Sequence, residues 1–274
     1  MNKVKEMILL TKKQKPKPSI VFDTYWKFAA ERQSIFFKRL GNEVSPWSDD
    51  KIFRLFKFTN AYRATDRVSQ YLIKEIIYNG EQNPRELLFR ILLFKLFNKI
   101  ETWQLLQTKL AQVTYESYDF NQYNNILENQ KKNGKAIYSG AYIMASGRSA
   151  FGQELKHQNH LKLIESIIND KLHERCQSFS NMGELYNSLK EYPTVGPFLA
   201  YQLAIDINYS CLTNFSEMDF VKAGPGAKDG IKKCFTDFGE YSEEDIIKMM
   251  ADNQQKNFID SVLILRICSA DLYN

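Results

Sequence analysis

The chain has 274 residues, of which 44% are hydrophobic and 14% aromatic, and its formal net charge is +5. This composition excludes a chain that is disordered throughout, because disordered sequences are poor in aromatic and large apolar residues. It also excludes an inference of nucleic-acid binding from total charge, because six lysines and one glutamate in residues 1–18 supply the whole excess.

Residues 1–18 are expected to form a flexible basic arm. Two prolines close this lysine-rich stretch, which either contacts phosphates or is a solvated extension. A helix is predicted over Ser19–Leu40, where six aromatic residues recur without the alternation of a strand. Gly41 is a suitable residue to end it.

The next predicted helix runs from about residue 50 to Tyr78, with a break near Thr59. Leu87–Phe97 is the most apolar run of the chain, and Pro84 suits the first turn of the helix that contains it. Its eleven residues are interrupted by an arginine and a lysine, so they are too few and too polar to cross a bilayer. We therefore expect a buried helix, no membrane partner and a cytoplasmic location.

Residues 114–150 contain scattered glycines and are expected to form loops and short helices. Helical patterns then return over Leu161–Cys176, Met182–Lys190, Pro197–Ile207, from about Ser242 to Met250, and over Phe258–Leu272. The whole pattern predicts an all-α fold, with residues 19–272 as a single domain. Two lobes, 19–150 and 151–272, would be compatible with that domain.

Metal and cofactor sites are not expected. The cysteines lie more than twenty residues apart, so no two have the close spacing of zinc or iron–sulfur ligands (Cys176, Cys211, Cys234, Cys268). The three histidines are too isolated to outline a metal or nucleophilic site and are expected on the surface (His157, His160, His173).

The segment Phe58–Gln70 has the densest set of polar side chains. On one continuous helix, four of them would share a face: Asn60, Arg63, Arg67 and Gln70. Such a face could read a base edge or hold phosphates through guanidinium groups. A solvated face in which Asp66 forms an ion pair is the commoner explanation of a pattern like this.

The segment Tyr192–Ala200 combines an apolar helix end, a tight turn and an immediate new helix. Such a hairpin can present backbone N–H groups to one phosphate of DNA. The candidate residues for this backbone contact are Thr194, Val195, Gly196 and Phe198. We expect Gly196 to permit the turn and a close approach of the backbone. An ordinary corner between two helices would have the same pattern.

Asp219 follows Gly196 by 23 residues. This arrangement resembles the helix-hairpin-helix DNA-glycosylase superfamily, which implies a two-lobed helical fold with Asp219 as the catalytic carboxylate. In those relatives the catalytic aspartate stabilises positive charge on the sugar or helps to activate the nucleophile. A helix cap is the alternative role, and Asp206 is a weaker candidate inside an apolar helix. Phe198 replaces the lysine of β-lyases, so no β-lyase activity is expected, and the iron–sulfur cysteines are absent.

The glycine-rich segment Ala223–Gly230 follows Asp219 directly. Its backbone could bend into a nest for a phosphate or pyrophosphate, with lysines close by. The residues expected to form this site are Lys222, Gly224, Gly226 and Lys228, with Lys232 and Lys233 nearby. A plain turn is the alternative, because Gly-Pro-Gly also has that role.

A more specific resemblance joins several of these segments: residues 22–33 (FDTYWKFAAERQ), the Phe58–Gln70 motif, Gly140–Met144, Gly196, and Asp219–Gly226. Together they resemble the helical domain of 5-hydroxymethyluracil DNA kinases, which is similar to the phage-associated α-glutamyl/putrescinyl thymine pyrophosphorylases. The likeness spans about residues 19–272. The chain lacks the phosphate-binding pattern G-x-x-x-x-G-K-[ST], so kinase activity is not expected of it.

The resemblance implies an enzyme that acts on a modified thymine in DNA, with a separate P-loop kinase as a partner. It would either substitute a pyrophosphate on the 5-methylene with an amine or cleave the glycosidic bond. The target base would be flipped out and held by aromatic and polar side chains. That base pocket would be formed by Tyr25, Trp26, Asn60, Arg63, Asp66, Arg67 and Tyr142. The alternative is a non-catalytic module that recognises modified DNA.

Overall fold

The computed structural model describes residues 13–140 and 144–257. Almost all regular structure in these ranges is helical, which confirms the all-α fold predicted from the sequence. The predicted helix over Phe258–Leu272, most of the predicted basic arm and Tyr142 lie outside the described residues.

The elements are numbered in chain order, with short 3₁₀ and π segments given by range. They are β1 (Lys17–Pro18), α1 (Phe22–Leu40), α2 (Lys51–Leu55), a 3₁₀ turn (Arg63–Thr65), α3 (Arg67–Tyr71), a π-helical segment (Leu72–Ile77), α4 (Pro84–Phe97), α5 (Ile100–Lys109), α6 (Phe120–Lys132), α7 (Arg148–Phe151), α8 (Lys156–Asn169), α9 (Leu172–Arg175), a second 3₁₀ turn (Cys176–Ser178), α10 (Met182–Lys190), α11 (Pro197–Asn208), α12 (Pro225–Cys234), β2 (Phe235–Asp237) and α13 (Glu243–Asn257).

The chain divides into two compact units. Among the described residues, one unit combines 13–66 with 221–257, and the other is formed by residues between Arg67 and Phe220. The first unit is therefore assembled from two described stretches that are far apart in sequence. The sequence is compatible with a boundary between two lobes at residue 150. In the structure, this position lies inside the second unit.

The first unit is built around α1, α12 and α13. Trp26 of α1 is buried, and Phe22 contacts both its ring and that of Phe235 at centroid distances of 6.3 and 5.4 Å. Phe235 belongs to a buried cluster with Ile231 and Ile246, which come from the last turn of α12 and from α13. Residues far apart in sequence thus share one apolar core.

Residues 13–18 are part of this unit. β1 pairs antiparallel with β2. The N–H of Gln14 donates to the side chain of Glu240 at 2.7 Å, and the N–H of Glu240 donates to the carbonyl oxygen of Gln14 at 3.1 Å. Gly239 has φ +58°, and a Cβ on it would overlap the carbonyl oxygen of Gln14. A glycine is required there, because only glycine combines this conformation with so close an approach.

The second unit has α4 as its central helix. Asn83 caps it by accepting a hydrogen bond from the N–H of Arg85 at 3.0 Å, and Pro84 occupies the first turn, as predicted. Its side chains from Glu86 to Phe97 are all buried. The sequence prediction of a buried helix is confirmed, and the helix begins three residues before the apolar run.

Charged side chains on α4 are buried together with their partners. Arg90 donates to the carbonyl oxygens of Ile76 and Glu81 at 3.0 and 2.7 Å. Lys95 forms an ion pair with Asp206 of α11, with 2.8 Å between Nζ and Oδ2. These contacts explain how a helix that is apolar on most sides accommodates charges, since buried charges need a partner.

The break predicted near Thr59 in the helix from about residue 50 to Tyr78 is present, but it extends over residues 56–66, where continued α-helix was expected and is not formed. Helix α2 ends at Leu55, a loop follows, and Asp66 is extended with ψ 145° between the 3₁₀ turn and α3. Among the described residues, no helix combines the length and apolar character that a membrane crossing requires.

Candidate functional site

The turn between α10 and α11 has the geometry of a tight helical corner. The N–H of Val195 donates to the carbonyl oxygen of Tyr192 at 3.1 Å, and the two helices pack directly against each other. Thr194 takes the left-handed conformation with φ +69°, whereas Gly196 has φ −73° and ψ 174°. The expectation that Gly196 makes the turn possible is therefore wrong, because any residue can adopt its conformation.

Gly196 leaves open space in front of α11. A Cβ at this position would meet no atom within 4 Å. The N–H groups of Phe198 and Leu199 lie in the first helical turn, where no carbonyl of the same helix can accept them. The side chain of Val195 is buried, while that of Phe198 is 52% exposed. The space at the Gly196 Cβ position and the ring of Phe198 are therefore open to solvent at the start of α11.

A polar network fixes the beginning of this turn. The hydroxyl of Tyr192 donates to Asp170 Oδ2 at 2.5 Å and accepts a hydrogen bond from Arg175 at 2.8 Å. Arg175 and Asp170 also pair with each other. Burial and the hydrogen bond to Asp170 raise the pKa of Tyr192, so the hydroxyl remains a donor at neutral pH. These contacts connect the beginning of the turn to Asp170 and Arg175.

Asp219 is exposed in a surface turn, where its N–H donates to the carbonyl oxygen of Ser216 at 3.2 Å. It is not the N-cap of the following helix, because α12 begins later with Gly224 in that position. The pocket of about 440 Å³ in the second unit is lined by other residues, among them Glu75, Arg90 and Trp103. Asp219 therefore lies on the surface and outside this pocket.

The segments before and after Asp219 both contact α10 or α11. The side chain of Asn208, at the end of α11, accepts from the N–H of Phe215 at 2.8 Å and donates to its carbonyl oxygen at 2.9 Å. On the other side, the ring of Phe220 lies 5.1 Å from Tyr186 of α10 and 6.2 Å from Tyr201 of α11. The position of the carboxylate-bearing turn is therefore coupled to the helical corner.

Asp206, the alternative candidate for the catalytic carboxylate, lies in the protein interior. Its side chain is 1% exposed and is paired with Lys95 in the interior of the second unit. A buried carboxylate with a cationic partner stabilises the contact between α4 and α11 and cannot reach a macromolecular substrate.

The Phe58–Gln70 motif does not form the predicted helical face. Asn60 and Arg63 belong to the first unit, and Arg67 begins α3 in the second. The amide of Asn60 is used locally, since its Nδ2 donates to the carbonyl oxygen of Thr65 at 2.6 Å. The four residues therefore do not lie on one continuous helix.

Arg32 is the residue that sequence reasoning missed. Its guanidinium donates to the carbonyl oxygens of Thr59 and Asn60 at distances of 2.6 to 2.9 Å and so fixes the loop before the 3₁₀ turn. The available signal was its place in the FDTYWKFAAERQ segment, one helical turn after Phe28, over whose ring the guanidinium lies at 5.4 Å. Arg32 thus connects two of the segments that carried the resemblance.

Two aromatic candidates for the base pocket differ in accessibility. Tyr25 is 41% exposed, and burial of the rest, with the Cys234 thiol nearby, raises the pKa of its hydroxyl. Trp26 is 7% exposed and packs in the apolar core with Ala29. Stacking of a base on Trp26 would require the core to open, whereas Tyr25 can be reached from solvent.

The glycine-rich segment does not form the predicted nest. Gly224 is extended as the N-cap of α12, and Gly226 and Gly230 lie within that helix. The N–H of Ala223 donates to Glu244 Oε1 at 3.4 Å, and Lys228 pairs with Glu243 at 2.9 Å. Carboxylates therefore already occupy part of the place where an anion was expected.

The prediction that the histidines lie on the surface is wrong for two of them. His157 and His160 are buried, and burial lowers the pKa of each to about 4. The ring of His160 lies 3.0 Å from the Tyr138 hydroxyl and 2.9 Å from the carbonyl oxygen of Ala145, so it links two segments of the chain. In the described ranges, no three or more metal-binding side chains gather as a candidate metal site.

The structure is that of a mainly helical protein. The turn between α10 and α11 and the exposed carboxylate of Asp219 are positioned by the same two helices. The sequence model of the family described as "5-hmdU DNA kinase, helical domain" matches residues 19–265. The chain belongs to this family.

A relative named "5-hmdU DNA kinase", from Bacillus phage SP10, is 29% identical over 247 residues. The aligned region covers 83% of this chain and 38% of the relative, so the chain spans less than two fifths of that protein's length. No solved structure matches the chain.

Proposed function

We propose that this chain binds DNA that contains 5-hydroxymethyluracil or a derivative of it, and that it takes part in the modification of that base. Membership of the family over residues 19–265 is the observation that carries the proposal. The name of the phage relative supports the substrate class.

In this proposal the corner between α10 and α11 is a helix-hairpin-helix element that contacts the DNA backbone. The open space at Gly196 lets a phosphate approach the N–H groups at the start of α11. A helix N-terminus attracts an anion through these groups and through its partial positive charge. The network of Tyr192, Asp170 and Arg175 holds the corner in advance, which lowers the entropic cost of binding.

Asp219 would contact the nucleoside that is altered. A carboxylate at this place can stabilise positive charge that develops on the sugar during glycosidic cleavage, or assist an amine that displaces pyrophosphate from the 5-methylene group. The phosphate groups of such a substrate would come from a separate P-loop kinase, because phosphoryl transfer needs a site that this sequence lacks. Phe198 in place of a lysine leaves no amine for a Schiff base there.

The second candidate is a recognition module without catalysis of its own. The exposure of Asp219 and its position outside the described pocket favour this candidate. In this case the remaining length of proteins such as the phage relative would supply the chemistry, and the present chain would deliver the DNA.

Product analysis separates the two candidates. The protein is incubated with DNA containing thymine, 5-hydroxymethyluracil or its pyrophosphorylated form, with and without an amine, and the nucleosides are analysed by mass. An enzyme converts one of the modified bases, and Asp219→Asn abolishes conversion while DNA binding changes little. Glu217→Gln, in the same exposed turn, is the matched control and should stay active. Full activity of Asp219→Asn would refute the catalytic role.

Binding to DNA is tested separately at the corner. Gly196→Val should fold like the wild type, since its Cβ meets no atom within 4 Å and its backbone suits valine. It should nevertheless weaken DNA binding by about tenfold or more, because the side chain blocks hydrogen bonds to a charged group. Gly230→Ala, whose Cβ also enters open space, is the control and should bind normally. Unchanged binding by Gly196→Val would exclude the corner from the interface.

A further inference from the structure

The segment from Lys51 to Phe58 (KIFRLFKF), here called the α2 platform, exposes an unusual amount of apolar surface. It contains helix α2 and the three residues after it, and seven of its eight residues are exposed, while Phe53 is half-buried. Leu55 is 77% exposed and Phe56 63%. Contiguous apolar groups of this kind on a surface are typical of a binding site.

The platform is fixed to the first unit rather than loosely attached. Phe53 stacks on Phe28 of α1 with 4.9 Å between ring centroids, and Phe58 meets the same two rings at 5.0 and 5.3 Å. Immediately after the platform, the carbonyl oxygen of Thr59 is held by Arg32. Two aromatic anchors thus turn Phe56 outward, and it makes no ring contact with any described residue.

Cations alternate with the apolar groups of the platform. Lys51, Arg54 and Lys57 are all exposed, and none of them forms an ion pair within residues 13–140 and 144–257. The adjacent carboxylate of Asp50 is engaged as the cap of α2, where it accepts from the N–H of Ile52 at 2.8 Å. The platform therefore carries three positive charges that form no ion pair with the described residues, beside exposed rings.

We infer that the α2 platform binds single-stranded DNA, with Phe56 stacking on a base and the three cations contacting phosphates. Aromatic rings interleaved with positive charges are the usual composition of single-strand binding surfaces. A protein partner fits less well, because lysine is depleted from the centres of protein interfaces. The inference rests on the proposed function: an enzyme or module that acts on a base must unstack it, which leaves unpaired nucleotides to be held.

Fluorescence anisotropy with a labelled oligothymidylate of about 12 nucleotides tests the inference on the full chain. Phe56→Ala should weaken binding by roughly 5- to 150-fold, the loss expected for one stacked base. Arg54→Ala should make the slope of log K against log salt shallower by about 0.7, as for one lost phosphate contact. Val44→Ala, at a position 91% exposed in the same unit, and Lys109→Ala, an exposed lysine elsewhere, are the controls and should bind like the wild type.

The outcomes separate this inference from the proposed function. If the wild type binds the oligonucleotide and both platform variants bind it equally well, the platform is excluded and the DNA-binding proposal stands. If the wild type binds neither this strand nor modified duplex DNA, both fail. If Phe56→Ala instead converts a dimer to a monomer in light scattering without changing DNA binding, the platform is a protein interface and the inference is overturned. Phe56 is exposed, so the variant should keep the wild-type circular dichroism spectrum and melting temperature.

Discussion

Removal of one partner from the ion pair between Lys95 and Asp206 should destabilise the second unit strongly. The side chains are 8% and 1% exposed, and their charged atoms are 2.8 Å apart. Lys95→Met keeps the length of the apolar stem but leaves the carboxylate buried without this cation. The loss of one partner from a buried pair costs about 3–5 kcal/mol. At 2–4 °C per kcal/mol, the melting temperature should fall by roughly 6–20 °C.

Urea unfolding followed by circular dichroism measures this loss, and a double-mutant cycle isolates the pair. Asp206→Ala alone should also be destabilising, since it leaves the ammonium group buried. The variant with both changes should lose less stability than the sum of the single losses, by about 1–3 kcal/mol. Losses that add to within about 0.5 kcal/mol would refute the assignment of the pair as a coupled element of the core. Asp206 lies on α11, so Lys95→Met should also weaken DNA binding through displacement of the corner.

Three further predictions follow from single contacts. Gly239→Ala should release the N-terminal strand, because its Cβ would overlap the carbonyl oxygen of Gln14; faster proteolysis near residue 14 checks this. Gly183→Ala places a Cβ 3.0 Å from Asn181 Oδ1 and 3.1 Å from the ring of Phe220, so it should loosen the neighbouring carboxylate turn, which amide hydrogen exchange detects as lower protection. Lowering the pH from 6.5 towards 4 should cost about 3 kcal/mol through His160, because burial lowers its pKa to about 4 and only the unfolded state takes up the proton. Stability is therefore complete above pH 6.5, and His160→Gln should show a smaller loss on acidification.

Helices with strong local signals could be predicted from the sequence. The helix around the apolar run Leu87–Phe97 has a proline in its first turn and an asparagine cap, and its observed bounds include the whole run. The two corner helices were predicted to within a residue, because Pro197 begins the second and apolar spacing defines both. Such signals lie within a few residues of the element that they specify, so no tertiary information is needed.

A break near Thr59 could be predicted, but its extent from residue 56 to residue 66 could not, because the cause of that extent lies elsewhere in the chain. Arg32, on α1, binds the carbonyl oxygens of Thr59 and Asn60, which a continuous helix would use for its own hydrogen bonds. The pairing of β1 with β2 is similar, since it joins Lys17 to Asp237. Contacts between residues so far apart leave no periodic pattern in the sequence. They also bring residues 13–66 and 221–257 together in one unit.

The candidate site was predicted in part. The corner at Gly196 exists, but the left-handed residue is Thr194, a type that seldom takes this conformation and that a sequence pattern does not indicate. Burial of His157 and His160 was missed for a related reason: a polar residue on a helix is buried only when neighbours supply its hydrogen bonds. Here Asn124 lies 2.9 Å from the ring of His157.

The two Gly-Pro helix starts of the chain show which anion site the structure favours. Gly196 and Gly224 have nearly the same backbone conformation, φ −73° with ψ 174° and 169°. At the second start, Glu244 accepts from the N–H of Ala223 and Glu243 pairs with Lys228, whose pKa it raises. A phosphate that binds there must displace a carboxylate and meet a second one, and repulsion between like charges opposes both steps. Gly196 and Gly224 both leave open space for a Cβ, so the carboxylates at the start of α12 are the feature that distinguishes the two helix starts. Backbone contacts to DNA are therefore expected at α11 and not at α12.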